Sequence, residues 1–305
     1  MLYRIFIFLI LISFSFFFIG LYMVPTSNPY ISTFKSYIVD DLKISMDMID
    51  NYNSDDISIK NESRKKIINT TLKNLNYTKW FPYEEYIELK LYEDKVVPNN
   101  SNLIVVLNLS KDVSVMAIYN KVNGQYVYMY SIEDILPIKS LEFRPYPDKD
   151  YNLIISHQKL DERLGAFYYD EFLEIWGFNS NSFKELFRKT TYSEEIYNLN
   201  WVNPDEPKNK WQKNIKTGSV DFPSDKEIIT KTTTESFLAL SDKFPKPDEF
   251  KFLQKSSSTE NYLWDEKSNK YILDTKNTSN LSDPLDFLSE LLSINGENYK
   301  IVKTN

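Results

Sequence analysis

No cysteine occurs in the 305 residues. That excludes disulfides, thiolate zinc and iron–sulfur sites, a cysteine nucleophile and a lipid-modified cysteine anchor. Histidine occurs once, at His157. Strand alternation in NLIISHQ places Leu153, Ile155 and His157 on one face, a half-buried histidine satisfied by a neighbour. With no second His or Cys it builds no common transition-metal site. Ser156 points to the opposite face, so the two cannot act as a nucleophile–base pair. There are six glycines, at 20, 124, 165, 177, 218 and 296, where ordinary usage gives about twenty. No two lie close together, so GxGxxG, Walker A and GxSxG motifs are absent. Net charge is −7, and residues 1–29 hold a single charged residue, Arg4. A chain this acidic is a poor ligand for phosphate backbones, and nucleic acid is not an expected partner.

One long uncharged run is present. Ile5 to Val24 reads IFIFLILISFSFFFIGLYMV, about 30 Å long as a helix, the thickness of a bilayer core. Arg4 precedes it and no basic residue follows until Lys35. The positive-inside rule then puts the N-terminus in the cytoplasm and the rest outside. A cleaved signal peptide is the competing reading and would make the protein secreted, but the flank lacks an A-x-A site. The expectation is a signal-anchor over 1–29, a helical neck over 30–83 and a β-rich extracytoplasmic domain over 84–305, in a single-pass protein of the cell membrane whose contact with the lipid bilayer is Ile5–Val24.

In the neck, Ile31, Phe34, Ile38, Leu42 and Ser45 recur at helical spacing. The polar stretch 51–56 breaks the pattern, and Ile67, Ile68, Leu72 and Leu75 mark a second stripe over 60–76. The expectation is a helical hairpin. Near the other end, Asp283-Pro284 is an N-cap followed by proline at the first helical position. Leu285, Leu288 and Leu292 then share one face of a C-terminal helix, a candidate cover for an open sheet edge.

Between these lies a threefold pattern. Tyr119-NKVNGQ-Tyr126, Trp176-GFNSNS-Phe183 and Trp264-DEKSNK-Tyr271 each place two rings around six residues. The Asn- and Gly-bearing turns suit hairpins, across which the rings could meet. Upstream of each stands a proline, four or five polar residues and a strand-like run: Pro98-NNSN-LIVVLNL, Pro147-DKDYN-LIISHQ and Pro223-SDKE-IITKTT. Another extended run precedes each proline. Every copy therefore predicts four antiparallel strands, over roughly 84–133, 139–190 and 215–275.

Four-stranded units introduced by a Pro–Asp turn resemble diverged FG-GAP-type β-propeller repeats, at the level of architecture and over about 190 residues. The resemblance implies blades and a calcium turn built from several carboxylates and a glycine. This sequence departs from it: Asp148 and Asp150 stand in PDKD, Asp225 stands alone in PSDKE, and neither turn has a glycine. No metal or other cofactor is expected. Three copies form either a partial propeller or a sandwich. The fold class is mainly β: tandem four-stranded antiparallel units with an N-terminal transmembrane helix, a helical hairpin and a C-terminal helix.

Departures from the repeat are the candidate binding segments. The second copy inserts QKLDERLGAFYYDEF, which carries Asp161, Glu162, Arg163, Tyr168 and Tyr169. Carboxylates beside aromatic rings suit a sugar, or a glycosidase acid–base pair flanking a cleft. The segment 192–214 carries Trp201 and Trp211 around a Pro- and charge-rich centre, a flap on the sheet or a contact surface. The leading functional expectation is a membrane-anchored binding module of the cell envelope, with an envelope protein or a cell-wall glycan as its partner. The alternative is an envelope hydrolase using paired carboxylates.

Overall fold

The computed structural model describes residues 42–99, 101–164 and 167–275. From Ile44 onward they belong to one compact unit. Five strands form one antiparallel sheet: β1 (Lys43–Ser45), β2 (Glu88–Asp94), β3 (Asn102–Asn108), β4 (Ser114–Val122) and β5 (Gln125–Ile135), in the order β1-β5-β4-β3-β2. Eight form the second: β6 (Ile138–Pro145), β7 (Asn152–Glu162), β8 (Tyr168–Asn179), β9 (Ser182–Asn198), β10 (Lys210–Ser224), β11 (Glu227–Leu240), β12 (Lys251–Asp265) and β13 (Lys270–Leu273). The second sheet runs in simple chain order from β13 to β6.

Two helices serve the first sheet. α1 (Met46–Tyr52) is capped by Ser45, whose hydroxyl accepts from Met48 N at 3.2 Å. Leu42 and Ser45 do not continue a helical stripe as expected, because Lys43–Ser45 is an edge strand and Ser45 is spent on the cap. α2 (Ile57–Asn74) starts where the Asp56 carboxylate accepts from Ser58 N and Ile59 N. It ends in a left-handed residue, Asn76 (φ 58°), with Tyr77 N donating to Leu72 O at 2.8 Å and Asn76 N to Lys73 O at 3.1 Å. That is a Schellman stop with asparagine in the usual glycine position. Ile67, Ile68, Leu72 and Leu75 face Leu103, Val105 and Leu107 of β3 and Val115 and Ala117 of β4. A short 3-10 turn (Thr78–Tyr83) then leads into β2.

β3 is buried along its whole length. Its odd-numbered residues meet the helices, while Ile104 and Val106 join Met116, Ile118, Ile138, Leu141 and Ile154 in a second cluster between the two sheets. A strand covered on both faces reads as an unbroken apolar run, which is what LIVVL is.

The sheets are stitched by buried amides. The Asn108 side chain accepts from Ile138 N (2.9 Å) and donates to Ile138 O (3.0 Å), so it pairs with one residue of β6 as a strand neighbour would. It also accepts from Ser114 Oγ and donates to Glu88. Asn102 accepts from Val96 N and Val97 N and closes the Pro98 turn. Asn152 donates to Asp94 and to the Lys95 carbonyl, tying that turn to the start of β7.

The eight-stranded sheet curls on itself. Leu153, Ile155, Leu173 and Ile175 share a cluster with Phe187, Ile228 and Tyr271. Phe187 meets Tyr262 with ring centroids 4.9 Å apart, although two strands separate β9 from β12. Beside them Lys189 pairs with Glu260, which also accepts from Thr230 and Tyr262. Burial pushes Glu260 up, but these partners together hold it below the usual carboxylate range. Toward the far end the core runs out, and β10–β12 rest on cross-strand polar pairs such as Lys255–Glu235 (2.8 Å) and Thr233–Ser257 (3.0 Å).

Three corrections follow. Each predicted copy contains four strands, but no separate blades form. β9 pairs with β10 from Trp211↔Asn198 to Thr217↔Tyr192, so the second and third copies fuse edge to edge into one sheet. Of the three ring pairs, only Trp264 and Tyr271 meet in register (5.2 Å). Two-residue turns at Asn123-Gly124 and Ser180-Asn181 set the register, so Tyr119 meets Tyr128 (5.8 Å) and Phe183 lies opposite Phe178 rather than Trp176. Finally, no described helix is long and apolar enough to cross a membrane. The longest, α2, carries KNESRKK and spends its apolar stripe on the sheet. Among the described residues nothing supplies the transmembrane helix of the expected fold class, the single-pass localisation or the lipid bilayer as partner, and these expectations are not carried forward. The run Ile5–Val24 and the expected C-terminal helix lie outside the described residues.

Two stability predictions follow. Asn108→Ala leaves the Ile138 N–H without its buried partner, the Ile138 C=O keeping Lys90, and should cost about 1–3 kcal/mol, read from urea midpoints. Glu260→Gln strands the half-buried Lys189 ammonium and should cost about 1–3 kcal/mol near neutral pH. Because the folded pKa of Glu260 is lowered, its contribution is present above the unfolded value of 4.5 and is lost as pH falls through the folded one. The gap between wild type and Glu260→Gln should therefore narrow in urea titrations repeated below pH 4.5.

Candidate functional site

In an antiparallel meander alternate connections lie at the same end. The β7–β8 tip, the β9–β10 connection and the β11–β12 connection therefore share one end of the eight-stranded sheet. Both expected binding segments are there.

At the β7–β8 tip, Arg163 donates to Asp161 through Nε (2.9 Å) and a terminal nitrogen, and its guanidinium lies 4.6 Å from the centre of the Tyr169 ring. This arginine holds the Asp161 carboxyl down at about 2. Glu162 pairs with Lys111 at 2.8 Å. Tyr169 packs edge-on to Tyr192 and donates to Glu171, and burial with that hydrogen bond raises its hydroxyl to about 12. Tyr168 lies on the opposite face of β8 from Tyr169 and is half-buried.

A cavity of about 930 Å³ opens beside this tip, between the starts of β2 and β6 and the ends of β3 and β7. Lys90, Lys111, Lys139, Lys159 and Arg163 line it, together with Glu88 and Asp161. Most of these cations are already engaged. Lys90 donates to the carbonyls of Ile138 and Lys139, Lys111 and Arg163 hold Glu162 and Asp161, and Lys139 holds Glu171 at 2.8 Å. Four of the five cations are thus engaged with protein oxygens, Lys159 being the fifth.

These contacts do not give Asp161 the acid–base partner that the hydrolase alternative needs. A general acid needs a raised pKa and a partner carboxylate across a cleft. Asp161 is depressed, and Glu171 is lowered too, since Lys139 and Tyr169 outweigh its burial. Asp170 is raised by burial, but it is opposite Leu160 in the ladder while Asp161 is opposite Tyr169. Paired residues share a face, so Asp170 and Asp161 point to opposite sides of the sheet. His157 is half-buried with Nε2 3.1 Å from Glu142. Among the described residues no cluster of three or more His, Asp or Glu could hold a metal ion.

The second segment is built differently. Asn198 ends β9, accepts from Asn200 N and donates to Lys208 O, which closes the loop around a short helix, α3 (Leu199–Val202). Asn200 donates to the carbonyls of Pro204 and Glu206. Trp211 is 8% exposed, and its indole N–H donates to Ser241 O at 3.0 Å. Trp201 packs edge-on against it (5.3 Å) but is 62% exposed. Phe244, from the β11–β12 connection, meets Trp211 (5.5 Å) on one side and stacks on Phe167 (4.5 Å) on the other.

Phe244 thus draws the two expected segments together. Phe244 itself is 46% exposed and Val202, next to Trp201, is 71% exposed, while Leu240 shares a face with Lys210, opposite that of Trp211. The result is an aromatic cluster whose inner members are packed and whose outer members face solvent. Sequence reasoning found Trp201 and Trp211 but missed Phe244 and Val202. The signal for Phe244 was an aromatic residue ahead of PKPDEF, in a connection too polar to need one.

No family model matches the chain, and no curated protein matches it in sequence.

The two tryptophans should separate cleanly in urea unfolding. Trp211→Ala opens a cavity beneath Phe244 and should cost about 3–5 kcal/mol. Trp201→Ala removes a mostly exposed ring and should cost less than about 1 kcal/mol.

Proposed function

We propose that this chain is a protein-binding module whose contact surface is the aromatic end of the eight-stranded sheet. The observation that carries the reading is the exposure of Trp201, Val202 and Phe244 around the buried ring of Trp211, with Phe244 stacked on Phe167. Isolated exposed apolar residues are ordinary, but contiguous ones held by a rigid base mark interaction sites. Aromatic anchors also lose little side-chain entropy when covered, which is why tryptophan is frequent at binding hot spots. α3 is held by hydrogen bonds of Asn198 and Asn200 rather than by burial, so its outer residues are presented without being needed for folding. The partner surface is apolar at its centre, to match Trp201 and Val202.

The test is a photo-crosslinker at the exposed Phe244, used in the cells that make the protein. The expected result is one reproducible protein adduct, lost with Trp201→Asp and with Val202→Asp while the thermal midpoints stay at the wild-type value. An adduct that survives both substitutions, or no specific adduct, would remove the reading.

A further inference from the structure

The curl of the eight-stranded sheet brings its parts together without closing it, and β6 and β13 remain its two edges. A slot of about 190 Å³ lies in the seam. Arg144 of β6 with Leu153 and Ile155 of β7 forms one side, and Phe222, Asp225 and Tyr271 form the other. No residue of the aromatic cluster around Phe244 lines it.

The walls are fixed. Asp148 in the β6–β7 turn pairs with Lys226 in the β10–β11 turn at 2.8 Å. Tyr146 packs edge-on to Trp264 with centroids 5.6 Å apart. The Tyr271 hydroxyl donates to the Asp225 carbonyl at 2.6 Å. The inner surface is apolar, since Leu153, Ile155 and Tyr271 are buried in the sheet's own core cluster.

Two opposite charges border this apolar surface, and neither is spent. The Arg144 guanidinium lies 4.3 Å from the centre of the Phe222 ring, and its N–H groups meet no acceptor among the described residues. The Asp225 carboxylate also has no hydrogen bond or ion pair among them, because the neighbouring Lys226 serves Asp148 and Glu266. Burial raises the Tyr271 hydroxyl and the Asp225 charge adds to the rise, which puts that carboxylate near the slot wall. Arg144 and Asp225 stand on opposite sides and do not pair with each other.

Each part has a natural complement. A guanidinium held flat on a ring with its donor fork open suits a carboxylate. A free carboxylate suits an ammonium. The apolar surface between them suits a short hydrocarbon. An α-amino acid carries all three. Its size also agrees, because a cavity of about 150 Å³ already takes a six-carbon ring, while sites for larger ligands start near about 300 Å³. A zwitterion has no net charge for the −7 of the chain to repel.

We propose that this slot binds a free α-amino acid with an apolar side chain, its carboxylate on Arg144, its ammonium on Asp225 and its side chain against Leu153 and Ile155.

Calorimetric titration of the full chain with L-leucine tests this, with glycine, leucinamide and N-acetyl-leucine as comparisons. The expected result is one leucine per chain, with each comparison bound at least about tenfold more weakly. Arg144→Gln should weaken leucine by about ten- to a hundredfold and leave leucinamide, which has no carboxylate, unchanged. Asp225→Asn should weaken leucine by a similar factor and leave N-acetyl-leucine, which has no ammonium, unchanged. Both side chains are exposed and bonded to no other charge, so the thermal midpoints should stay at the wild-type value. The three analogues on the wild-type chain give a readout that does not depend on either variant folding. No leucine binding overturns the proposal, and so does leucine binding that ignores both substitutions. Glycine bound as tightly as leucine removes the apolar contact, and N-acetyl-leucine bound as tightly makes the ligand a peptide C-terminus. Either result also overturns the assignment.

Discussion

Two sheets that pack face to face need a common register, and one buried amide sets it. Asn108 is the last residue of β3, and its side chain forms both bonds of a ladder step with Ile138 at the start of β6. Hydrophobic contact between Ile104, Val106, Met116 and Ile118 on one sheet and Ile138, Leu141 and Ile154 on the other holds the layers together without direction. The amide supplies direction. An unmet N–H or C=O at that depth is costly, so the sheets cannot slide without breaking it. Asn102 and Asn152 do the same at the other end of β3.

Beyond β9 the physics changes. The helices, the first sheet and β6–β9 share apolar cores. β10–β12 extend past them as long strands that are rich in Thr, Ser, Lys and Glu and are solvated on both faces over much of their length. Such strands lack the apolar face that normally sets register. Here register comes from continuity with β9 and from the curl that brings Phe187 to Tyr262 and Lys189 to Glu260. The sheet therefore projects from its core as an arm, closed at its outer end by the aromatic cluster around Phe244. An arm of this type offers what a compact sandwich does not, an end loaded with rings.

The scarcity of glycine has a structural counterpart. Hairpins and helix stops need left-handed residues, and asparagine takes most of them: Asn76, Asn99, Asn123, Asn181 and Asn269 all have positive φ. Asparagine adopts this conformation at lower cost than other side chains because its amide bonds locally. The same residue type supplies the clamps at 102, 108, 152 and 198. An Asn-rich chain here uses one residue for turns, caps and buried stitches.

Much of the secondary structure was legible in the sequence, because local chemistry decides it. Pro98 and Pro147 do separate strands, NG and SN make two-residue turns, and the stripe Ile67, Ile68, Leu72, Leu75 does face a core. The three sets of four strands follow from spacing alone. What spacing could not say is which edge meets which. Whether a four-stranded unit closes as a blade or joins its neighbour depends on β9 and β10 being long enough to pair, and that pairing is a non-local choice. Turn length decided the ring pairs: with two-residue turns at 123–124 and 180–181, Tyr119 faces Tyr128 and Phe178 faces Phe183. At the candidate site, composition singled out Asp161, Glu162, Arg163, Tyr168, Tyr169, Trp201 and Trp211, but only tertiary contacts assigned their parts. Arg163 and Lys111 neutralise the acids, Trp211 is packing, and Trp201 faces solvent. Residue type and period fix what a segment can be. Charge pairing, burial and the joining of sheet edges are set by residues far apart in the chain, and only the folded structure brings those together.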